Sequence, residues 1–174
     1  QIIFFGSSIS IDWIIEDTPL GTGGSVCNAI CKRKLTDKIL ISNADTWLDN
    51  GMRKLVDAKG SAMGLVKVSD CKRYGSTSLN SDGYVDSFVE KTEGPSAKLA
   101  GIINAGLYKL PTSLFSGMDR KKFSLETVIL PRLVREGKLL GVMLECEFFD
   151  IGIPEDYFKF CVWHKTRQTG NDTQ

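Results

Sequence analysis

Two aspartates, Asp45 and Asp150, each stand after a short apolar run that reads as a buried strand. In open α/β sheets ligands gather at the carboxyl ends of strands. Two carboxylates meeting there would hold a hard cation such as Mg²⁺, which commonly takes one or two carboxylates plus phosphate oxygens. The competing reading is that each aspartate caps a turn, and residue type alone leaves both open. A second feature is Glu16-Asp17-Thr18-Pro19-Leu20-Gly21-Thr22-Gly23-Gly24, between an extended stretch and a helix. Glycines there let a ligand approach the backbone, and free N–H groups at a helix start attract anions. The alternative is a loop whose glycines meet only the needs of the chain. The third feature is Glu90-Lys91. A carboxylate accepts bonds from sugar hydroxyls and a lysine holds phosphate as a point charge, although exposed Glu-Lys dipeptides are common.

Other reactive side chains point elsewhere. The single histidine, His164, lies beside Lys165 and Arg167 near a helix end, where cations are favoured in any case. Cys27, Cys31, Cys71, Cys146 and Cys161 form no Cys-x-x-Cys pair. Cys27 and Cys31 share a helix face, but a zinc site needs about four ligands. They read as free thiols.

The elements that must position these groups alternate between strand and helix. Residues 9–15 alternate apolar and polar residues, which predicts a strand. A helix is expected from about Thr22 to Lys34, followed by a buried strand at Lys38–Ser42 (KILIS). Met52, Leu55 and Val56 predict a short helix, and residues 62–68 another strand. Asp82-Gly83 marks a hairpin within residues 74–90. Residues 102–110 read as a strand, with Pro111 opening a short helix. An apolar stripe from Leu125 to Val134 predicts a helix kinked or divided at Pro131. Strands follow at 139–144 and 147–149, then a helix from Pro154 with Glu155 and Asp156 in its first turn. The last ten residues, from Lys165, are expected to fray as a polar tail, leaving one domain over residues 1–164.

Composition agrees. Lys plus Arg number 22 against 21 for Asp plus Glu, a formal net charge of +1. No overall field draws this surface to nucleic acid or to an acidic membrane. No apolar run reaches the roughly 18 residues of a membrane-spanning helix. A soluble, cytoplasmic α/β protein is expected.

Taken together, the stretches EDTPLGTGG (16–24), NADT (43–46), RYG (73–75), FVEK (88–91), INAGLY (103–108), FSLE (123–126) and FFDIGIPEDY (148–157) resemble the sugar nucleotidyltransferase family. Within it they are most similar to the D-glycero-D-manno-heptose 1-phosphate guanylyltransferases. The resemblance implies a Rossmann-like α/β fold, with a mixed central sheet flanked by helices. It also implies transfer of a nucleotidyl group from a nucleoside triphosphate, GTP favoured, to a heptose- or mannose-type sugar 1-phosphate, with release of pyrophosphate. By motif match, Asp45 and Asp150 would hold Mg²⁺, and Lys91 with Glu90 would contact the sugar phosphate. Asn104 and Gly106 would line the sugar site, with Tyr74 and Gly75 nearby. Glu16, Pro19, Gly21 and Thr22 would face the base.

Two departures follow from the same match. NADT replaces the family's Asn-Gly-Asp-Thr, which requires a negative φ at Ala44. The family's opening Gly-x-Gly-Thr-Arg loop has no counterpart here. From that we expect slow turnover, because losing one preorganised donor typically costs about 100- to 1,000-fold in rate. Exposed apolar sheet surface would also favour a homo-oligomer. A nucleotide-sugar-dependent glycosyltransferase and a non-catalytic nucleotide-sugar binding domain remain the alternative classes.

The base makes a sharper expectation. Guanine presents N1–H and N2–H₂ side by side, which one carboxylate accepts together. Uracil and thymine offer a single donor between two carbonyl oxygens. Glu16→Gln should therefore cost about 1–3 kcal/mol of discrimination between GTP and UTP or dTTP. Equilibrium binding of the three nucleotides to both proteins checks this, and unchanged ratios would remove Glu16 from the base site.

Overall fold

The computed structural model describes residues 10–71, 74, 76–89 and 100–171. Its elements are helix α1 (Gly21–Arg33), strand β1 (Lys38–Ser42), strand β2 (Thr46–Leu48), helix α2 (Met52–Asp57) and strand β3 (Ser61–Val68). Strands β4 (Ser76–Leu79), β5 (Val85–Val89) and β6 (Gly101–Pro111) follow. A 3-10 turn (Thr112–Phe115) and a π-helical turn (Leu125–Ile129) lead into helix α3 (Leu130–Arg135). Strand β7 (Leu139–Met143), strand β8 (Phe148–Asp150) and helix α4 (Pro154–Asn171) complete the chain.

Strand β6 organises the main sheet. It runs antiparallel to β3 on one side. On the other side it pairs with β1 over its second half, Ser42 opposite Leu107, and touches β4 at Ile103 opposite Ser76. Strand β7 extends the sheet parallel to β3, and β5 extends it antiparallel to β4. Strands β2 and β8 form a separate two-stranded ribbon. This is the mixed sheet with flanking helices that the motifs implied.

The sheet buries both faces. One packs Met63, Leu65, Tyr108, Leu110 and Leu139 under Cys27 of α1 and Ile129, Leu130 and Leu133. The other packs Ala62, Val66, Ile103, Ala105 and Leu107 against Leu55 of α2 and Leu144. The divided helix at Pro131 forms as expected: proline lacks the N–H that an unbroken α-helix would require of it, and α3 starts one residue earlier. In the hairpin, the Asn80 side chain accepts bonds from the N–H groups of Asp82 and Tyr84, and Gly83 takes φ +80°.

Three expectations change. Residues 10–15 form no strand: periodic side chains do not make a strand without a ladder partner, and no described strand pairs with them. The segment is tied instead to α1, through the Asp12–Arg33 ion pair at 2.6 Å and Lys32 Nζ on the Ile15 carbonyl. Strand β1 is not buried. Among the described residues only β6 pairs with it, so Leu40 is left 44% exposed. Finally, the chain does not fray at Lys165, because α4 continues to Asn171. Arg167 holds its last turns, pairing with Asp49 at 2.9 Å and stacking 4.8 Å from the Trp163 ring.

The glycines of the 16–24 loop pack closely against residues 121–123. Gly23 and Gly24 donate their N–H groups to the Phe123 carbonyl, at 3.0 and 3.2 Å. Two of the amides in the first turn of α1 are thus satisfied by the chain itself. A Cβ on Gly24 would stand 2.5 Å from the Lys121 carbonyl oxygen, a backbone atom. Gly24→Ala should destabilise the fold by about 1–3 kcal/mol, the usual cost of overpacking. Equilibrium urea unfolding measures the loss; an unchanged midpoint would show that the 121–123 segment yields freely.

Candidate active site

The site opens where the sheet splits. On one edge of β6, β1 covers residues 107–111 and β4 reaches Ile103, so residues 104–106 have no strand beside them there. On the opposite edge the register jumps. Met63 faces Tyr108 while Leu65 faces Asn104, so β6 carries extra residues between the two. That bulge needs Gly106 at φ +68°. Asn104 Oδ1 accepts from Gly106 N–H at 2.9 Å, and the Gly106 carbonyl accepts from Asn43 N–H at 2.9 Å. A Cβ on Gly106 would meet Asn43 Nδ2 at 2.6 Å, so glycine is also required for space.

A cleft of about 390 Å³ occupies this gap. It brings Asn43, Asp45, Asn104 and Gly106 together with Tyr74, Phe148, Asp150, Thr22 and Glu126. Asp45 and Asp150 meet through the ribbon rather than through the main sheet: Thr46 pairs with Asp150 across β2 and β8. Gly152 lies between their carboxylates, and a Cβ there would stand 2.9 Å from Asp45 Oδ2 and 3.4 Å from Asp150 Oδ1. Both groups thus border one small space that a glycine keeps open. Ala44 is not among the residues with positive φ, so NADT is accommodated without left-handed strain.

Glu126, which the residue-by-residue reading passed over, sits at the centre of a hydrogen-bond network. Its Oε2 accepts from the Thr22 hydroxyl at 2.6 Å and the Ser124 hydroxyl at 2.7 Å. Its Oε1 accepts from the Tyr108 hydroxyl at 3.2 Å, and that hydroxyl accepts from Asn104 Nδ2 at 2.6 Å. Thr22 also accepts from Leu125 N–H, which locks α1 to the π-helical turn. The available signal was Ser124 at a helix start with a glutamate two residues on, but its partners are distant in sequence.

Among the described residues, Thr22 and Glu16, both expected at the base, border different recesses. Thr22 lines the main cleft, whereas Glu16 borders a separate recess of about 310 Å³ with Leu20, Asn28, Lys32 and Arg120. Pro19 and Gly21 belong to the turn between them, where Gly21 takes φ +71° against the Phe123 carbonyl. The Glu16 carboxyl is held below its ordinary range by the Ser25 hydroxyl first, then by the Leu20 N–H bonded at 3.0 Å. Gly75, Glu90 and Lys91 lie outside the described residues.

Residues 4–164 match the family of nucleotidyl transferases. The chain belongs to that family. Among curated relatives, the D-glycero-alpha-D-manno-heptose 1-phosphate guanylyltransferase of Aneurinibacillus thermoaerophilus is 34% identical over 166 residues, covering 90% of this chain and 69% of the relative. The enzyme of that name from Campylobacter jejuni subsp. jejuni serotype O:2 is 31% identical over 156 residues, covering 88% and 67%. The crystal structure of HddC from Yersinia pseudotuberculosis complexed with GMP-PN superposes with a TM-score of 0.74 at 36% identity. That match covers 88% of this chain and 66% of that one, so the chain spans about two thirds of the length of these nucleotidyl transferases.

Charge in the cleft has a chemical consequence for such a protein. Among the described residues its lining holds Asp45, Asp150 and Glu126 and no basic side chain. A polyphosphate needs counter-charge to approach this wall. The donor set suits a cation that prefers oxygen and shares its ligands with phosphate. Among the described residues, Asp45 and Asp150 are the carboxylates around Gly152 that could hold such a cation.

The Tyr108 side chain is fully buried beneath the cleft. Tyr108→Phe leaves Asn104 Nδ2 without this acceptor, which should destabilise the fold by about 1–2 kcal/mol. Urea unfolding would show it as a lower midpoint at unchanged slope.

Proposed function

We propose that this chain transfers GMP from GTP to a sugar 1-phosphate of the heptose or mannose type and releases pyrophosphate. One observation carries the reading: Asp45, Asp150, Asn104 and Gly106, far apart in sequence, line one cleft at the gap in the sheet. The guanylyltransferase relatives support the nucleotide and the sugar class.

The reaction is an in-line displacement at the α-phosphorus by a sugar phosphate oxygen. That oxygen is already ionised, so no side chain has to act as a base, and positioning and charge neutralisation do the work. Asp45 and Asp150 would hold Mg²⁺, which when bound offsets the charge building on the phosphates. Asn104 and the Gly106 backbone border the sugar side, walled by Tyr74 against Phe148 with ring centroids 5.5 Å apart. Glu90, Lys91 and Gly75 would complete the grip on the sugar phosphate. Glu16, Pro19, Gly21 and Thr22 stand on the nucleotide side, with Glu16 reading guanine from its own recess. The five free thiols support a cytoplasmic setting, and no described helix is long and apolar enough to cross a membrane. The exposed apolar residues Ile11, Trp13, Ile15 and Leu40 support self-association of this chain.

Calorimetry with GTP and with GDP-mannose, each with and without Mg²⁺, tests the reading. Binding of both ligands should depend on Mg²⁺ and fall at least about tenfold in Asp45→Asn, since bonds to charged groups are worth about 1.5–3 kcal/mol. Gly152→Ala, which places a methyl between the carboxylates, should weaken Mn²⁺ binding followed by electron paramagnetic resonance. Asp45→Asn binding both ligands and metal like the wild type would overturn the assignment.

A further inference from the structure

We propose that Glu126 is a sugar-reading residue, and that with Asn104 it forms a donor–acceptor pair that recognises two adjacent hydroxyls of the sugar. The inference rests on the sugar-phosphate reading above and adds to it a residue and a chemical criterion.

The geometry assigns each atom a role. Asn104 Oδ1 is used by Gly106 N–H, which fixes the orientation of the amide. Its Nδ2 therefore faces the Tyr108 hydroxyl, and Nδ2 carries a second N–H beyond that bond. Glu126 Oε2 already accepts two hydroxyl hydrogens, from Thr22 and Ser124. Oε1 accepts one, the 3.2 Å bond from Tyr108, and has acceptor capacity left. Asn104 and Glu126 both line the cleft, and the single Tyr108 oxygen bridges them. One wall of the cleft thus offers a donor and an acceptor held about one hydroxyl apart.

Adjacent sugar hydroxyls match that arrangement, one accepting from the amide while its neighbour donates to the carboxylate. A phosphate does not, because it has no hydrogen for the acceptor and would be repelled by the carboxylate. A guanine base is served by donors and acceptors in its own plane, and Glu16 lies in a different recess. The Thr22 and Ser124 hydroxyls and the buried Tyr108 keep the carboxylate from turning away when the cleft is empty. A site built this way rejects analogues that lack the hydroxyl, because its polar atoms are then left unpaired.

Glu126→Gln reverses the polarity of one atom. The amide oxygen takes the Oε2 position, where two hydroxyls donate, so the –NH₂ replaces Oε1 and offers a donor where the sugar needs an acceptor. Binding of mannose 1-phosphate, its 2-, 3- and 4-deoxy counterparts, GDP-mannose and GDP to the chain and to Glu126→Gln distinguishes the possibilities. Wild type should bind mannose 1-phosphate about ten- to a hundredfold more tightly than two deoxy counterparts whose missing hydroxyls are neighbours. Glu126→Gln should erase the penalty for one of the two, keep the other, and bind GDP like the wild type. The proposal is overturned if wild type ranks all three deoxy sugars with the parent. It is equally overturned if Glu126→Gln keeps the wild-type ranking, or weakens GDP and the sugars alike. Wild type that binds neither mannose 1-phosphate nor GDP-mannose overturns the sugar-phosphate reading itself, and this inference with it.

Discussion

The bulge in β6 is the feature on which the site depends. Between Asn104 and Tyr108 the strand carries more residues than β3 opposite, and Gly106 absorbs the excess in a left-handed conformation. Backbone groups freed from the ladder must find other partners, and they find Asn104 Oδ1 and Asn43 N–H. Those two bonds fix the two asparagines whose side chains reach the cleft. On the other edge of β6, residues 104–106 lie between the reach of β1 and that of β4.

The elements around the gap meet different physical demands. The sheet beneath is apolar on both faces and supplies rigidity. The ribbon of β2 and β8 is too short to be stable alone. It is held against α4 by tilted ring contacts, Trp47 with Phe160 at 5.0 Å and Phe149 with Trp163 at 5.3 Å between centroids. Asp49 extends the support, accepting from Glu147 N–H across the ribbon while pairing with Arg167 of α4. Asp45 and Asp150 sit at the ribbon's end, so the carboxylate pair rests on an aromatic clamp distant from the main core. On the opposite wall, the close approach of α1 to residues 121–125 puts Thr22 on Glu126. Glycines at 23 and 24 permit that approach.

Much of the architecture was legible because its signals are local. Proline at 131 divides a helix wherever it sits, Asp82-Gly83 turns a hairpin, and apolar stripes show which faces are buried. The strand boundaries at Lys38–Ser42 and near 61–68 followed from the same logic. Local signals failed where an outcome depends on a neighbour. Residues 10–15 have strand periodicity but no described partner. KILIS reads as buried but, among the described residues, pairs with β6 alone. The segment after Lys165 reads as a polar tail, yet Arg167 reaches back to Asp49, more than a hundred residues away.

The site divides along the same line. By itself, the sequence determined which groups are available: carboxylates at 45 and 150, an asparagine and glycine at 104 and 106, and a glycine-rich loop ahead of a helix. Residue chemistry and motif order are properties of the chain and survive without coordinates. Only the tertiary structure decided how those groups are used. It spent the α1 amides of Gly23 and Gly24 on Phe123, separated Glu16 from Thr22, and placed the two aspartates around Gly152. It also made Glu126 the centre of a network whose members come from α1, β6 and the turn before α3. Hydrogen bonds between such distant segments are set by how the sheet and helices pack, and no spacing along the chain encodes them.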